Sequence, residues 1–508
     1  MKIKRFSAAL AAAAILCTPA AMAQDNESGD SSASADIPEP AQSEKSGSVR
    51  IGGQTINYDV VAGETYLKND KGEPVASIFS TSYIRKNGDR SRPVLFVFNG
   101  GPGSASLWLH MGVFGPKRVV IPSDGSDDGA PPYDLGDNPY SMLDVADMVF
   151  IDPVGTGWSR ALGDTDPKDY YGLEEDADSL GRFIRLWLTE NGRWNSPKYL
   201  AGESYGTTRA AALIDELQGG WTDVSLNGVI LISAVLDFQF SRYGKGNEMV
   251  HVSYIPSFAA IAWYHGKIDK SAWNNDFDAF TEATREFAIE EYAPALLKGA
   301  MLEDSRRREI ITKLSGFTGL SETYLRQANM RVNNMRFMKE LLRDEQRSTG
   351  RLDARYTGID FDAAGERFDA DPSSYGIDGA YTAAVNDYLT RELDVPITRD
   401  YRVLDGEPGS NWNWSAKDSG GWPAYVNVGP WISEGMRQNS ELRIMLASGW
   451  YDLATPVFGA ELALQRDDIP QDRITKTYYQ SGHMMYVHQP SLEQLSEDMH
   501  DFVAAGSR

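Results

Sequence analysis

A serine flanked by glycines is the clearest candidate for chemistry in the sequence. The stretch "GESYG" (202–206) matches Gly-x-Ser-x-Gly, a pattern that exposes a nucleophilic serine on a tight turn between a strand and a helix. The flanking residues fit this context, because "KYLAGE" (198–203) is a short apolar run and "TTRAAALIDEL" (207–217) has helical spacing. The glycines permit the strained turn, and the helix N-terminus favours negative charge beside the hydroxyl. We therefore predict that Ser204 is a nucleophile rather than an incidental turn residue.

A serine hydroxyl needs a general base and an orienting carboxylate, expected in the chain order Ser, Asp, His. His483 ends the strand-like run "ITKTYYQSGH" (474–483) and is the predicted base. Asp452 ends "LRIMLASGWYD" (442–452) and is the predicted carboxylate, with a strand terminator or helix cap as the alternative. His488 is the nearest rival of His483. Packing or solvation is the default for the other four histidines: His110, His251, His265 and His500.

A glycine-rich loop is the expected site of oxyanion stabilisation. "FNGGPGSAS" (98–106) follows an early strand, and its glycines leave backbone N–H groups open to a developing negative charge. Together with the serine turn, this loop predicts the N–H groups of Gly101 and Tyr205 as the oxyanion donors.

These residues need a sheet to position them, and the sequence predicts one. "PVLFVFNG" (93–100), "ADMVFIDPVGTG" (146–157), "KYLAGE" and "LNGVILISAVLD" (226–237) read as buried parallel strands, and "LEEDADSLGRFIRLWLTEN" (173–191) reads as a helix that is apolar on one face. "TINYDVVAGETYL" (55–67) alternates as antiparallel strands do. The alternation favours a doubly wound, mostly parallel α/β sheet.

The alternation of strands and helices stops from about 240 to 395, where the sequence is mostly helical without a clear buried strand. We predict a helical cap inserted into an α/β core of 49–239 and 396–508. Residues 1–23 have a basic start, an apolar run and Ala21-Met22-Ala23, as in a signal peptide cleaved after Ala23. Residues 24–48 are rich in Ser, Asp, Glu and Pro and are expected to form a disordered acidic linker.

Composition excludes several classes of function. The 508 residues are 42% hydrophobic and 24% charged, and no apolar run is long enough to span a bilayer, so no stable membrane insertion is expected. The net charge of −23 becomes three units more negative without Lys2, Lys4 and Arg5, which argues against nucleic acid as a partner. The only cysteine, Cys17, lies in the signal, and Leu16 before it argues against lipidation. Thiolate chemistry and disulfides in the mature chain are thereby excluded.

The motifs resemble those of the serine carboxypeptidase family. "NGGPGSAS" (99–106) is similar to the family's Asn-Gly-Gly-Pro-Gly loop, "GESYG" to its nucleophile turn, "DPVGTGWS" (152–159) to its Asp-x-Pro segment and "SGH" (481–483) to its histidine loop. The match extends from about 80 to 237 and from about 442 to 490. The resemblance implies the α/β-hydrolase fold, removal of C-terminal residues from peptides or proteins, and no cofactor or metal.

The resemblance also implies how a substrate's free carboxylate is held. Asn99, Gly100 and Glu203 match the residues that bind it in the family. Because two ionised carboxylates repel each other, Glu203 must share a proton with the substrate, which favours activity at acidic pH.

Three departures from the family pattern qualify the comparison. A second glutamate usually precedes the Gly-Pro after the glycine loop, where this chain has Val113. The first acid of a Gly-Asp-x-Asp run is replaced by Trp450, which leaves Asp452. The family's usual disulfides are missing, which is typical of a bacterial branch.

The predicted function is a periplasmic or secreted serine carboxypeptidase. An esterase or acyltransferase that uses the same triad is the nearest alternative, because the fold does not fix the substrate. A non-catalytic binding homologue is the alternative from another class. The sequence leaves open the oligomeric state, the residue preference, and whether four aromatics line a pocket or pack in the core: Trp263, Tyr264, Trp412 and Trp414.

Overall fold

One large mixed sheet organises the protein. The structure is a computed structural model that describes residues 37–219, 223–415 and 425–507. Its strands in chain order are β1 (Gln42–Ile51), β2 (Gln54–Lys68), β3 (Pro74–Arg85), β4 (Val94–Phe98), β5 (Lys117–Val120), β6 (Asp134–Asp137), β7 (Asp147–Asp152), β8 (Arg160–Ala161), β9 (Lys198–Glu203), β10 (Gly228–Ile232), β11 (Arg347–Thr349), β12 (Thr357–Ile359), β13 (Arg443–Gly449) and β14 (Ile474–Tyr479).

The helices lie between and after these strands. They are α1 (Leu107–Leu109), α2 (Leu173–Glu190), α3 (Tyr205–Gln218), α4 (Met249–Ser253), α5 (Ile255–Tyr264), α6 (Phe277–Phe287), α7 (Ala293–Lys298), α8 (Asp304–Thr318), α9 (Glu322–Gln327), α10 (Asn334–Glu340), α11 (Pro372–Asp387), α12 (Gly406–Ser410), α13 (Gly429–Gln438), α14 (Val457–Leu464) and α15 (Gln489–Gly506). Within the described ranges, none of them has the length and apolar character needed to cross a bilayer.

The strand order in the main sheet is β1-β2-β3-β7-β4-β9-β10-β13-β14, with β8 also paired to β3. Neighbours from β7 to β14 pair in parallel, and β1, β2 and β3 extend the sheet with antiparallel pairs. The predicted mostly parallel sheet, opened by antiparallel strands, is therefore confirmed. The parallel strands end at one edge of the sheet, where ligands bind in such folds.

Helices cover both faces of the sheet. Leu95 and Val97 of β4 pack in a core that includes α15, whereas Phe96 and Phe98 pack in a second core with α2, α3 and α13. Successive side chains of a strand point to opposite faces, so burial on both faces explains why "VLFVF" is apolar throughout. This arrangement confirms the doubly wound fold class.

The prediction that residues 24–48 form a disordered linker is wrong from Gln42 onward. Residues 42–51 form β1, which pairs with β2 along its whole length. Most side chains at the start of β1 are exposed, so main-chain hydrogen bonds to β2 order this segment without burying an apolar face. The predicted signal peptide and the first part of the linker lie outside the described residues.

The segment predicted as a helical cap is mostly helical. It contains α4 to α11, and its own core includes Phe258 stacked on Phe337 at 4.0 Å between ring centroids. It also contains a hairpin of β11 and β12, outside the main sheet, which the sequence analysis did not predict. With three residues in each strand, the hairpin is too short to show an alternating pattern. We call residues 240–395 the helical insertion below.

Candidate active site

The predicted nucleophile lies on a strained turn between β9 and α3. Ser204 has φ 60° and ψ −130°, an unusual conformation for a residue with a side chain. Glycine is required on both sides of it. A Cβ on Gly202 would lie 2.2 Å from the Gly206 carbonyl oxygen, and a Cβ on Gly206 would lie 2.9 Å from the Phe98 carbonyl oxygen. Close backbone packing thus holds the serine at the carboxyl edge of the sheet.

The predicted base and carboxylate contact each other. His483 follows β14, Asp452 follows β13, and His483 Nδ1 lies 2.6 Å from Asp452 Oδ2. Both residues are buried. Burial alone would lower the pKa of His483, but the charge and hydrogen bond of Asp452, together with the charge of Glu203, raise it above its ordinary value. This pairing suits a histidine that accepts a proton during a reaction.

Local hydrogen bonds fix the Asp452 carboxylate. Asp452 Oδ1 accepts the backbone N–H groups of Ala454 and Thr455, at 2.7 and 3.0 Å. Thr455 Oγ1 donates to Asp452 Oδ2 at 2.6 Å. The aspartate does cap the turn that follows it, but it also orients His483, so the two alternatives considered from the sequence coexist.

Two cavities meet at Ser204 and His483. The first, here called the Trp414 cavity, has a volume of about 390 Å³ and is also lined by Tyr205 and Trp414. The second, here called the Glu203 cavity, has a volume of about 410 Å³ and is also lined by Glu203. Both volumes fall in the range of small-ligand sites. The serine and histidine therefore face space that a substrate can enter from two sides.

The glycine loop lies directly against the serine turn. Gly101 lines both cavities and has φ 101°, a conformation that favours glycine. A Cβ on Gly100 would lie 2.5 Å from the backbone nitrogen of Tyr205 and 2.8 Å from that of Gly206. The structure thus brings the predicted oxyanion residues, Gly101 and Tyr205, beside Ser204.

The buried carboxyl of Glu203 lies beside the nucleophile and is almost inaccessible. Its Oε2 accepts the phenol of Tyr486 at 2.7 Å and the amide Nδ2 of Asn99 at 3.2 Å. Burial, only partly opposed by the positive charge of His483 and these two hydrogen bonds, raises the pKa of Glu203 to about 7. Glu203 thus changes its protonation state near neutral pH.

These motifs and their spacing can be compared with known proteins. A sequence model described as serine carboxypeptidase matches residues 65–495. The chain belongs to this family. Serine carboxypeptidase-like 8 of Arabidopsis thaliana is 29% identical over 178 residues, 32% of this chain and 39% of the relative. Serine carboxypeptidase S10 family member 1 of Dictyostelium discoideum is 26% identical over 203 residues, 39% of this chain and 42% of the relative. The alignments therefore span less than half the length of these relatives.

Among solved structures, the fold is similar to that of Kex1(Δ)p, a prohormone-processing carboxypeptidase from Saccharomyces cerevisiae. The TM-score is 0.53 at 17% identity, and the match covers 88% of this chain and 91% of the yeast chain. This likeness confirms the α/β-hydrolase fold expected from the resemblance.

The segment "DPVGTGWS" (152–159), in which Asp152 directly precedes Pro153, supports the glycine loop from behind. Asp152, the first residue of "DPVGTGWS", is buried, and its Oδ1 accepts the backbone N–H of Ser106 at 2.8 Å. A Cβ on Gly157 would lie 1.9 Å from Asp152 Oδ2, so the loop can close only around a glycine. Burial raises the pKa of Asp152 to about 6. The segment therefore positions the loop without lining either cavity.

Three contacts near the motifs were missed from the sequence. Tyr486, the partner of Glu203, lies only three residues after His483, and this proximity was the available signal. Thr455 bonds Asp452 and likewise follows it by three residues. Arg209 is fully buried on α3, where its Nε donates to Asp176 Oδ2 at 2.6 Å and its Nη1 to the Asn99 carbonyl. A buried arginine within "TTRAAAL" had no pattern to reveal it.

The helical insertion also forms hydrogen bonds with the loop that carries His483. His483 N–H donates to the Leu352 carbonyl at 2.6 Å. Asp353 Oδ2 accepts the Gly482 N–H at 3.1 Å and pairs with Arg355 Nη2 at 2.6 Å. A Cβ on Gly482 would lie 2.3 Å from the Leu352 carbonyl oxygen. We call residues 351–355 the strap, because they hold the loop that carries His483.

The other histidines lie elsewhere. His110 is stacked on Phe150 in the core, and burial lowers its pKa to about 3. His488, the nearest rival, bonds Ser491 Oγ at 2.8 Å at the start of α15. The remaining three bond backbone or side-chain atoms outside the two cavities: His251 to Val332, His265 to Ala354 and His500 to Asp144.

The sequence did not decide whether four aromatic residues line a pocket or pack in the core, and the structure places them differently. Trp414 lines a cavity beside Ser204, whereas Trp263 and Trp412 are buried in cores. Tyr264 is 41% exposed and contacts Tyr451. Val113, which replaces the family's second glutamate, is fully buried in the core. Within the described residues, the hydrogen-bond partners of the Glu203 carboxyl are Tyr486 and Asn99 rather than a second carboxyl.

Proposed function

We propose that this protein is a serine carboxypeptidase that removes the last residue from peptides or proteins through an acyl-enzyme. The observation that carries the proposal is the position of Glu203. Its buried carboxyl, with Asn99 beside it, lies in the same cavity wall as Ser204 and His483. A site that must recognise a chain end needs a carboxylate-binding group next to its nucleophile, and these residues supply one.

In the proposed reaction, Ser204 Oγ attacks the carbonyl carbon of the last peptide bond while His483 takes the hydroxyl proton. Asp452 orients His483 and stabilises its positive charge. The N–H groups of Gly101 and Tyr205 stabilise the oxyanion. His483 then gives its proton to the leaving amine, which departs as the free C-terminal residue. Water attacks the acyl-enzyme by the same route, restores Ser204 and releases the shortened peptide.

Glu203, Asn99 and Gly100 bind the substrate carboxylate in this proposal. Both protein hydrogen bonds to Glu203 use Oε2, so Oε1 carries the proton that a bound carboxylate accepts. With the pKa of Glu203 raised to about 7, the protonated form prevails below that pH and is lost above it. Activity is therefore expected to be highest below neutrality, in line with the acidic optimum inferred from the sequence.

We further propose that the mature protein is periplasmic or secreted and belongs to a bacterial branch of the family. The basic and apolar pattern of residues 1–23 supports cleavage after Ala23. The single cysteine at position 17 supports a branch without disulfides. Secretion with and without cleavage is distinguished by the N-terminal sequence of the exported protein.

The deciding experiment compares matched peptides with free and amidated C-termini, with products identified by mass. The wild type is expected to release one residue at a time from free acids and to leave the amides intact. Ser204→Ala is expected to release nothing. Equal cleavage of the amides, or internal cleavage, would contradict carboxypeptidase activity. Hydrolysis of esters alone, or acyl transfer to an added alcohol, would favour the esterase or acyltransferase alternative.

A further inference from the structure

The Glu203 cavity has a second carboxylate, that of Asp378, in its lining. Helix α11 of the insertion contributes Ser374, Asp378 and Thr382 to this cavity. Their spacing of four residues places them on one face of the helix. Asp378 is the only one of the three with a charge, and it is exposed to the cavity. The cavity therefore has a carboxylate beside the nucleophile and another on the helix wall.

Asp378 lacks a positively charged partner. Within the described residues, no hydrogen bond or ion pair engages its carboxylate, and its charged neighbour is another acid, Asp371. Arg351 also lines the cavity, but its Nε lies 4.0 Å from Asp371 Oδ2, and its charge acts on that acid and on His483. Asp378 is accessible from the cavity, but the surrounding protein atoms partly desolvate its carboxyl, and together with the charge of Asp371 this raises its pKa to about 6. The group is therefore mainly ionised at neutral pH and unpaired.

The rest of the cavity suits an apolar chain. Its apolar lining residues are Trp108, Leu352, Val403, Leu404 and Met484. Leu404 is 67% exposed and lines this cavity, so its side chain is accessible to an apolar group there. A ligand that fits has a carboxylate at one end, a methylene stem and a cation at the other end. Lysine and arginine side chains have such a stem and tip.

We propose that Asp378 selects substrates whose C-terminal residue has a cationic side chain, lysine or arginine. This inference rests on the proposed function, since it places the C-terminal carboxylate at Glu203 and Asn99. The side chain of that residue then extends along Trp108 and Leu404, and its cation pairs with the carboxylate of Asp378. Residues with an anionic side chain are disfavoured, because Asp378 repels them.

The test measures kcat/KM near neutral pH (about 7), where Asp378 is ionised, for blocked peptides that end in Ala-Lys, Ala-Leu or Ala-Glu. The wild type is expected to prefer lysine over leucine and leucine over glutamate. Asp378→Asn is expected to lower the lysine-to-leucine ratio about fivefold, the upper end of the range for an exposed ion pair. Asp378→Lys is expected to raise the glutamate-to-leucine ratio.

A matched control lies on the same helix. Asp387→Asn removes a carboxylate from α11 outside the cavity, where the acid pairs with Arg391 at 2.6 Å. It is expected to leave the lysine-to-leucine and glutamate-to-leucine ratios unchanged. An unchanged lysine-to-leucine ratio in Asp378→Asn, or a wild-type preference for glutamate, would overturn the inference.

A second measurement uses only the wild type, so it does not require a variant to fold. Free lysine and free norleucine differ by the terminal ammonium group, and each resembles a released residue. Lysine is expected to inhibit hydrolysis of the Ala-Leu peptide by the wild type about fivefold more strongly than norleucine. If lysine and norleucine inhibit equally and the enzyme still hydrolyses the peptide, the role of Asp378 is overturned. Absence of hydrolysis of all free-acid peptides would instead count against the proposed function.

Discussion

The two walls of the Glu203 cavity are built in different ways. One wall comes from the sheet edge, where Gly100, Glu203 and Ser204 are held by contacts between backbone atoms as close as steric limits allow. The other comes from the helical insertion, where the strap and α11 present side chains such as Asp378. The first wall tolerates few residue types, whereas the second allows many.

This difference suggests that the chemical step and the selectivity for a side chain depend on different walls. Nucleophile, base and oxyanion donors require fixed geometry, which glycines and strand ends provide. Selectivity for a side chain requires only charge and shape at a helix face. We therefore expect the sheet-edge wall to determine whether a bond is broken, and the insertion wall to determine which peptide is chosen.

The largest effect is expected at the base. His483→Ala should lower kcat about ten-thousandfold, because Ser204 then lacks a proton acceptor. His488→Ala is the control, since the His488 side chain bonds Ser491 Oγ and lines neither cavity, and it should change kcat no more than about twofold. Steady-state hydrolysis of a free-acid peptide measures both. Comparable losses in the two variants would mean that the base is misassigned.

The next effect concerns the stability of the insertion wall, which we test at the buried ion pair of Asp353 and Arg355. Asp353→Asn leaves buried Arg355 without its carboxylate and should lower the free energy of unfolding by about 3–5 kcal/mol. Adding Arg355→Met removes the unpaired charge and should recover part of that loss. Urea unfolding followed by circular dichroism measures both variants. If the double variant is no more stable than the single one, charge pairing is not what stabilises the strap.

A single methyl group tests the packing of the sheet-edge wall. Gly100→Ala places a Cβ 2.5 Å from the Tyr205 nitrogen and should lower kcat/KM about a hundredfold, as loss of an oxyanion donor does. Gly406→Ala is the control, because a Cβ there meets no atom within 4 Å. Near-normal activity of Gly100→Ala would show that this wall is less rigid than its contacts indicate.

The smallest effect concerns pH. Above the pKa of Glu203, about 7, the active protonated fraction falls about tenfold for each pH unit. Glu203→Gln is neutral at every pH, so its activity should fall less on the alkaline side. The variant also lacks the negative charge that raises the pKa of His483, so its acid limb should move to lower pH.

The pH profile of kcat/KM tests this expectation, with the exposed Glu434→Gln as a control that keeps the wild-type profile. An alkaline limb that is the same in Glu203→Gln and in the wild type would assign that limb to another group.

The contrast between the walls also explains what the sequence predicted. The sheet, the serine turn and the His483–Asp452 contact were predictable, because their motifs reflect steric limits and strand ends. Tyr486 and Asp378 were not, because a tyrosine or aspartate on an ordinary stretch gives no pattern until the fold brings it to the cavity. The first part of β1 was missed for a related reason, since main-chain pairing with β2 orders it although most of its side chains are exposed.

The strap has a consequence for how activity is lost under stress. The Leu352 carbonyl holds the His483 amide at 2.6 Å, while Leu453 N–H, next to Asp452, donates to the Arg351 carbonyl at 2.9 Å. Partial opening of the insertion would therefore release both loops while the sheet remains folded. With its only cysteine at position 17, the chain has no covalent cross-link to limit such opening. We therefore expect catalytic activity to be lost at a lower temperature than that at which the strands unfold.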